Sequence, residues 1–309
     1  MDLSYADNAS QKLFEKAKND SIETVWDRYE KMQPQCGFGK LGLCCRNCSM
    51  GPCRIDPFGD GPKEGICGAT ADTIAARNIA RMIAAGAAAH SDHGRDIAHT
   101  LLMVARNEAE DYSIKNEDKL KKIARIYGIE TENKDIKKIA EEVALAVLEE
   151  FGKQEGELIM AGTAPKKRVE LWKSLGIMPR AVDREIVEIM HRTHIGVDAD
   201  YKNIIKAGLR AAIADGWGGS MIATEFSDIL FGLPNPLKST VNLGVIDPDC
   251  VNLIVHGHEP TLSDIIATLA LSPEMNEKAK KVGAKGINIG GICCTATEIL
   301  MRHGIPVAG

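Results

Sequence analysis

Six of the nine cysteines lie from Cys36 to Cys67: five in a run that reads CGFGKLGLCCRNCSMGPCR, then Cys67 with thirteen residues between it and Cys53. A segment this dense in thiols takes its shape from what the thiols bind. Cys44 and Cys45 are adjacent, so their side chains leave the backbone in different directions and do not readily serve one small metal centre. One group of four is Cys45, Cys48, Cys53 and Cys67, which leaves Cys36 and Cys44 as a second pair. Four thiolates suit a cubane iron–sulfur cluster, in which each iron needs one soft ligand. Two thiolates complete a second cubane only if another chain brings two more, so the spacing predicts a dimer that shares a cluster. Disulfides need an oxidising compartment, and the N-terminus, MDLSYADNASQKLFEKAKND, has no apolar stretch of a secretory signal. Structural zinc needs two short ligand pairs, and Cys45-x2-Cys48 is the single such pair in this segment.

The 309 residues are enough for about two domains. A net charge of −5, with no Lys/Arg block, argues against a nucleic-acid partner. No apolar run reaches the length of a membrane span, and a cytoplasmic protein with reduced clusters is expected. Aromatics make up 5 % of the chain, so the core is expected to be built from small and aliphatic side chains.

Residues 9 to 32 read as one amphipathic helix. Residues 33 to 68 read as a loop shaped by its clusters. The Ala-rich stretch from Ala69 to Ala89 reads as a buried helix, with a second helix over Asp96 to Asp111. Two charged helices are expected in 116 to 152, and more helix in 166 to 213. The pattern changes near residue 240, which puts a domain boundary near 235. Val241–Ile246, Val251–Val255, Gly286–Ile289 and the run from Ile305 read as strands, with helix over Leu262–Val282 and Thr295–His303. Strands alternating with helices imply a parallel sheet. The expected fold is thus α plus α/β: an all-helical iron–sulfur domain over 1–235, then the start of a Rossmann-like parallel α/β domain over 236–309. The sheet looks unfinished, because it ends after two or three parallel strands.

Ligands of open parallel sheets bind beyond the carboxyl ends of the strands. One strand ends at His256-Gly257-His258 and the next at Gly290-Gly291-Ile292-Cys293-Cys294. His258 and Cys294 could meet there as half of a metal site, or HGH is a solvated loop and CC small core filling. His90 and His93 are one helical turn apart, with His99 close by. They read either as a polar helix end or as a proton relay. Cys250 reads as structural.

Together MQPQCGFGKLGLCCRNCSMGPCR, GICGATADTIAAR, AAAHSDHGRDIAH, DGWGGSMIATEFSDILFG, VNLIVHGHEP and GINIGGICCTATEILMRHGIP resemble nickel-containing anaerobic carbon monoxide dehydrogenase along nearly the whole chain. The resemblance implies that Cys45, Cys48, Cys53 and Cys67 hold a 4Fe-4S cluster within the subunit. It implies that Cys36 and Cys44 hold half of one shared across a homodimer. His258 and Cys294, rather than Cys293, match ligands of a nickel–4Fe-4S type active-site cluster. His90, His93 and His99 match proton-handling histidines, and Asp215 an aspartate of the acid–base chemistry. The implied reaction is CO + H2O ⇌ CO2 + 2 H⁺ + 2 e⁻, with a ferredoxin-like electron acceptor and room for an acetyl-CoA synthase partner. Asp96 stands where several relatives have a further histidine. Members of the family are about twice as long, and their remaining active-site cysteines and a lysine lie beyond Gly309. The chain is therefore expected to be an N-terminal half, inactive alone. The rival readings are a non-enzymatic iron–sulfur electron-transfer module and a hybrid-cluster-type hydroxylamine reductase; HGHEP and GICCTATE favour the dehydrogenase.

Overall fold

The structure, a computed structural model, describes residues 8–235, 237–238 and 242–305. It divides into two compact units, Met1–Ala75 and Ala76–Gly309.

In the first unit the expected single helix over 9–32 is two helices. These are α1 (Asn8–Asn19) and α2 (Val25–Lys31). Local chemistry makes the break. Ser21 takes a positive φ of 56°, and Thr24 opens α2 with a capping box: its hydroxyl oxygen accepts from Asp27 N, while the Asp27 carboxylate accepts from Thr24 N at 2.7 Å. The short helix α3 (Gly37–Lys40) follows. Then come the two-residue strands β1 (Cys44–Cys45) and β2 (Cys53–Arg54), paired antiparallel.

The long helix α4 (Ala71–Ala105) replaces the two helices expected on either side of residue 90. No proline interrupts it. Gly86 and Gly94 lie within it, and each glycine costs only about 1 kcal/mol in a helix interior. Ala80, Ala84 and Ala87 are fully buried along one side. Arg77 is buried too, and donates through Nη2 to the Asp198 carbonyl at 3.1 Å. Arg81 donates to the Thr193 hydroxyl at 2.7 Å. These two bonds satisfy charges that an alanine-rich stripe would otherwise bury without partners.

Beyond α4 lie α5 (Glu117–Ile126) and α6 (Ile136–Gly152), as their amphipathic patterns predict, then α7 (Lys166–Ser174), α8 (Val182–Arg192), α9 (Tyr201–Ala214) and α10 (Ser220–Phe231). The main core gathers Leu101, Leu120, Ile123, Val143 and Phe226. A second, alanine-lined cluster packs Ala80 and Ala84 against Ile189, Ile204, Ala207 and Ala211. Between α9 and α10 the chain makes a single π-turn, Asp215–Gly219.

The apolar run near 241–246 does not form the expected strand: Asn242–Val245 is one 3-10 turn, and Val241 lies outside the described residues. The two central strands form as expected. They are β3 (Val251–His256) and β4 (Ile287–Ile292), parallel and in register from Val251↔Ile287 to His256↔Ile292. The helix expected between them is two, α11 (Pro260–Leu271) and α12 (Pro273–Lys281). Ser272-Pro273 makes the division: the Ser272 hydroxyl caps α12, and proline starts it. The helix after β4 is α13 (Cys293–Glu298), followed by a 3-10 turn, Leu300–His303. Of the last expected strand only Ile305 is described. The two-stranded parallel sheet is bound to the helices by Arg302, which donates to Asp228 at 2.5 Å and to the Gly232 carbonyl at 2.6 Å. Lys119 meets Asp228 at 3.0 Å and Glu225 at 2.7 Å. No helix among the described residues is long and apolar enough to cross a membrane.

An ion network joins α8 and α9. Glu185, with no side-chain exposure, lies 3.0 Å from Arg180 Nε and 3.1 Å from Arg210 Nε. Glu188 takes Arg192 at 2.6 Å and Arg210 at 2.9 Å, with Arg180 also in contact. Burial pushes the Glu188 carboxyl up, but the hydrogen bonds from Arg192 and Arg180 and the charges of Arg180 and Arg210 overcome this and hold it at about 2. A carboxyl held below its unfolded value stabilises the fold above the unfolded pKa, and that stability is lost as pH falls toward the folded one. We predict that urea-unfolding stability falls between about pH 4.5 and 2, and that Glu188→Gln removes a part of this fall on the order of 1–2 kcal/mol, reduced by solvent screening. Parallel pH profiles for the parent and the variant check it.

Candidate metal centre

The cysteine segment is held by strand geometry. Cys45 lies directly across from Cys53, and Cys44 across from Arg54. Side chains alternate along a strand, so Cys45 and Cys44 project from opposite faces, as their adjacency implies. Cys45 is buried in one apolar cluster with Ile55, Ala69 and Ile74, and Cys53 and Cys67 pack against it. Cys48 sits in the turn between β1 and β2, where its carbonyl accepts from Gly51 N at 3.3 Å. The loop leaves no space for extra side chains around these sulfurs. A Cβ on Gly65 would lie 3.3 Å from Cys53 Sγ, and one on Gly51 would lie 2.9 Å from the Cys45 carbonyl. Cys36 is exposed at the start of α3, and the backbone N–H groups of Gly39 and Phe38 hold its thiol below the ordinary range. No disulfide joins any of the nine cysteines.

In the second unit, α4 and the π-turn touch backbone to backbone. A Cβ on Gly94 would sit 2.6 Å from the Gly219 carbonyl oxygen, and a Cβ on Gly219 would sit 2.6 Å from that of His90. The crossing brings Asp215, the first residue of the π-turn, onto His90: Nδ1 and Oδ1 are 2.5 Å apart. π-turns recur at functional sites because the extra residue redirects side chains. His93 is 1 % exposed one turn later on α4.

The parallel pairing of β3 and β4 places HGH and CC at one sheet edge, as expected. His256 Nε2 lies 3.1 Å from Cys293 Sγ. Cys293 has a φ of 64°, the left-handed region, as the chain leaves β4 for α13. His258 stands against α4. Its ring centroid is 5.5 Å from that of His90, at 80°, and 6.0 Å from that of His93. The structure thus assembles His90, His93, His258 and Asp215, while His99 is exposed on the same helix. Cys294 is partly buried beside Cys293.

Sequence reasoning passed over the residues just after His258. Glu259 caps α11 and accepts from Thr261 N at 3.2 Å, and the Thr261 hydroxyl lies 2.7 Å from Glu259 Oε1 and 3.0 Å from Asp96 Oδ2. Burial pushes the Glu259 carboxyl up, and the Asp96 carboxyl hydrogen-bonded to it adds to the shift. The signal was present in Glu259-Pro260, an acidic cap followed by proline at the first helical position. That pair fixes a helix start directly after His258.

No three His, Cys, Asp or Glu side chains converge on a single-ion site among the described residues. A cubane presents its irons at separate corners, so its ligands need not converge on one point. The soft donor set and the glycine-lined loop around Cys45, Cys53 and Cys67 fit such a cluster.

The Prismane/CO dehydrogenase family matches residues 43–309, and the chain belongs to this family. It is 62 % identical over 303 residues to carbon monoxide dehydrogenase 1 of Methanosarcina mazei, across 98 % of this chain and 48 % of that protein. It is 54 % identical over 306 residues to carbon monoxide dehydrogenase 1 of Carboxydothermus hydrogenoformans, again across 98 % and 48 %. A nickel-free crystal structure of carbon monoxide dehydrogenase from Thermococcus sp. AM4 superposes with a TM-score of 0.91 at 55 % identity, covering 98 % of this chain and 48 % of that one. An acetyl-CoA synthase/carbon monoxide dehydrogenase superposes with a TM-score of 0.87 at 47 % identity, covering 98 % and 45 %. The chain spans about half the length of the curated relatives it matches.

The glycine crossing makes a direct prediction. Gly219→Ala drives a methyl into the His90 backbone and is expected to cost about 1–3 kcal/mol, as overpacking does. Gly208→Ala meets the flexible Ile83 Cδ1 at 3.3 Å and Ala80 at an ordinary 3.8 Å, and gains helix propensity, so it is expected to be near neutral. Chemical denaturation of both variants separates the two outcomes.

Proposed function

We propose that this chain is the N-terminal half of the catalytic subunit of an anaerobic carbon monoxide dehydrogenase, which oxidises CO with water to CO2 and releases two protons and two electrons. The observation that carries the reading is the placement of His258, at the carboxyl end of β3, against His90 and His93, with Asp215 on His90. A candidate metal ligand and candidate proton carriers from distant parts of the chain share one small region. The identity to carbon monoxide dehydrogenases over nearly the whole chain supports the same reading.

In this reading His258 and Cys294 would each donate one ligand to a nickel–iron–sulfur cluster. When bound, such a cluster supplies the Lewis acidity and the two-electron redox chemistry of the reaction. The residues of this chain handle the protons. Asp215 accepts a hydrogen bond from His90 Nδ1, which fixes the tautomer with a lone pair on Nε2. Nε2 is then the atom that takes a proton released at the site. His93, one turn along α4, is the next imidazole for that proton, and His99 is the exposed outlet. The aspartate orients the imidazole, as a carboxylate does in other acid–base sites.

Cys45, Cys48, Cys53 and Cys67 hold a 4Fe-4S cluster of the subunit, and Cys36 with Cys44 holds half of one shared in a homodimer. When bound, these clusters would supply the one-electron carriers that lead toward a ferredoxin-like acceptor in the cytoplasm, and an acetyl-CoA synthase is a further candidate partner. The lowered Cys36 thiol pKa and its exposure suit a ligand shared with another subunit.

The test uses the full-length protein that includes the downstream half. His90→Ala and Asp215→Asn are expected to slow CO-dependent reduction of a viologen dye by about 10²- to 10⁴-fold, the range of a lost acid–base group, with nickel and iron content unchanged. Nickel loss in His90→Ala would make that residue structural and end the proton-carrier assignment. The 309-residue chain expressed alone is expected to show no such activity; turnover by it would overturn the split of the ligand set. Iron content is expected near about six atoms per chain, four plus half of a shared cubane. Cys45→Ala should lose the internal cluster and Cys36→Ala the shared one together with the dimer, read by iron analysis and light scattering.

A further inference from the structure

His258 is gripped on both sides, and one of the grips reaches α4. Before it, the Gly257 carbonyl accepts from Thr295 N of α13 at 3.0 Å, with Gly257 at a φ of 128°. After it, Glu259 caps α11, and its own carbonyl accepts from the Ser263 hydroxyl at 2.6 Å. The Thr261 hydroxyl then bridges Glu259 Oε1 and Asp96 Oδ2, at 2.7 and 3.0 Å. Asp96 lies one turn beyond His93 on α4, and His93 lies one turn beyond His90. The helix that carries both imidazoles therefore also holds the loop that brings the third imidazole to them. A hydroxyl has one proton to donate. The Thr261 proton goes to one of the two carboxylate oxygens at a time, and Oγ1 stands within hydrogen-bond reach of both, so a single side chain ties Glu259 to Asp96.

We propose that Asp96 is a positioning residue: through Thr261 and Glu259 it clamps the 257–261 loop onto α4 and fixes His258 in register with His90 and His93. This role rests on the reading of His258 as a metal ligand. It also gives Asp96 a purpose other than carrying protons at a position where the histidine series of α4 is interrupted. Groups that orient a ligating imidazole typically contribute 10- to 100-fold in metal affinity or activity, and the clamp does this by setting where the loop stands.

The experiment uses the full-length protein loaded with iron and nickel, with five variants. Asp96→Asn keeps an oxygen for the Thr261 hydroxyl and gains an amide donor for Glu259, and Thr261→Ser keeps the hydroxyl; both hold the clamp. Asp96→Ala removes it, and Thr261→Val removes only the hydroxyl at nearly constant shape. His258→Ala reports loss of the ligand itself. The readouts are nickel retention against a chelator and the Mössbauer spectrum of ⁵⁷Fe-loaded protein. Asp96→Ala and Thr261→Val are expected to weaken nickel retention by about 10- to 100-fold and to alter the iron spectrum in the sense of His258→Ala. Asp96→Asn and Thr261→Ser are expected to stay within about threefold of the parent, since their hydrogen-bonding groups persist. If Asp96→Ala and Thr261→Val match the parent while His258→Ala loses nickel, the clamp is wrong and the reading of the site stands. If Asp96→Asn fails as badly as Asp96→Ala, the charge of Asp96 matters rather than its hydrogen bonds, and the positioning role is overturned. If His258→Ala itself keeps nickel and an unchanged iron spectrum, the reading of the site fails first.

Discussion

The second unit depends on a place where two backbones come together with no side chain between them. Gly94 on α4 and Gly219 in the π-turn are each so close to the opposing backbone that a single methyl would lie 2.6 Å from a carbonyl oxygen. Ordinary helix pairs keep their axes apart by the thickness of their side chains. Removing that thickness at one point lets α4 and the π-turn share one small space, and Asp215 reaches His90 as a result. The alanine stripe of α4 extends the same principle along its earlier turns, where Ala80 and Ala84 pack on the small residues of α9. Small side chains here are the means of placing polar ones accurately, since a densely packed interior transmits position with little slack.

The sheet contributes by its direction rather than its size. Two strands in parallel register put their carboxyl ends side by side, and both exit sequences fall at that edge. The first exit ends in two histidines with different fates. His256 turns toward Cys293, whereas His258, two residues on, meets the imidazoles of α4. Gly257 between them adopts a φ of 128°, a conformation that side chains rarely tolerate. One flexible position thus separates a surface thiol–imidazole pair from the imidazole cluster on α4.

The cysteine segment follows a different rule. Its strands are two residues long and would not persist as a free hairpin. The register of Cys45 against Cys53 and the placement of Cys44 on the opposite face come from this short ladder, from the glycines at 51 and 65, and from the small apolar cluster around Ile55 and Ile74. The ladder puts Cys44 and Cys45 on opposite faces.

Much of this was legible in the chain itself. The adjacency of Cys44 and Cys45 implied opposite faces, the alternation after residue 250 implied parallel β3 and β4, and the two exit sequences were placed at one edge, because each depends on the near-neighbour geometry of strands. The bounds of the helices were less legible, as was the 241–246 run, where a 3-10 turn stands in place of the expected strand. The helices over 9–32 and 262–282 divide at a capping box and at Ser272-Pro273, local signals that periodicity alone does not register. The reverse holds for α4, where the interruption expected near His90 is absent because burial on both sides of that residue sustains the helix. What the sequence by itself determined is which residues have chemistry to offer and which strand ends present them. Only the tertiary structure decided that His258 rather than His256 meets the histidines of α4, that Asp215 lies on His90 across 125 residues of chain, and that Asp96 joins Thr261 across 165. Those contacts depend on the angle and closeness at which helices cross, and these are set by side-chain volumes summed over several elements, a quantity that no local pattern in the chain expresses.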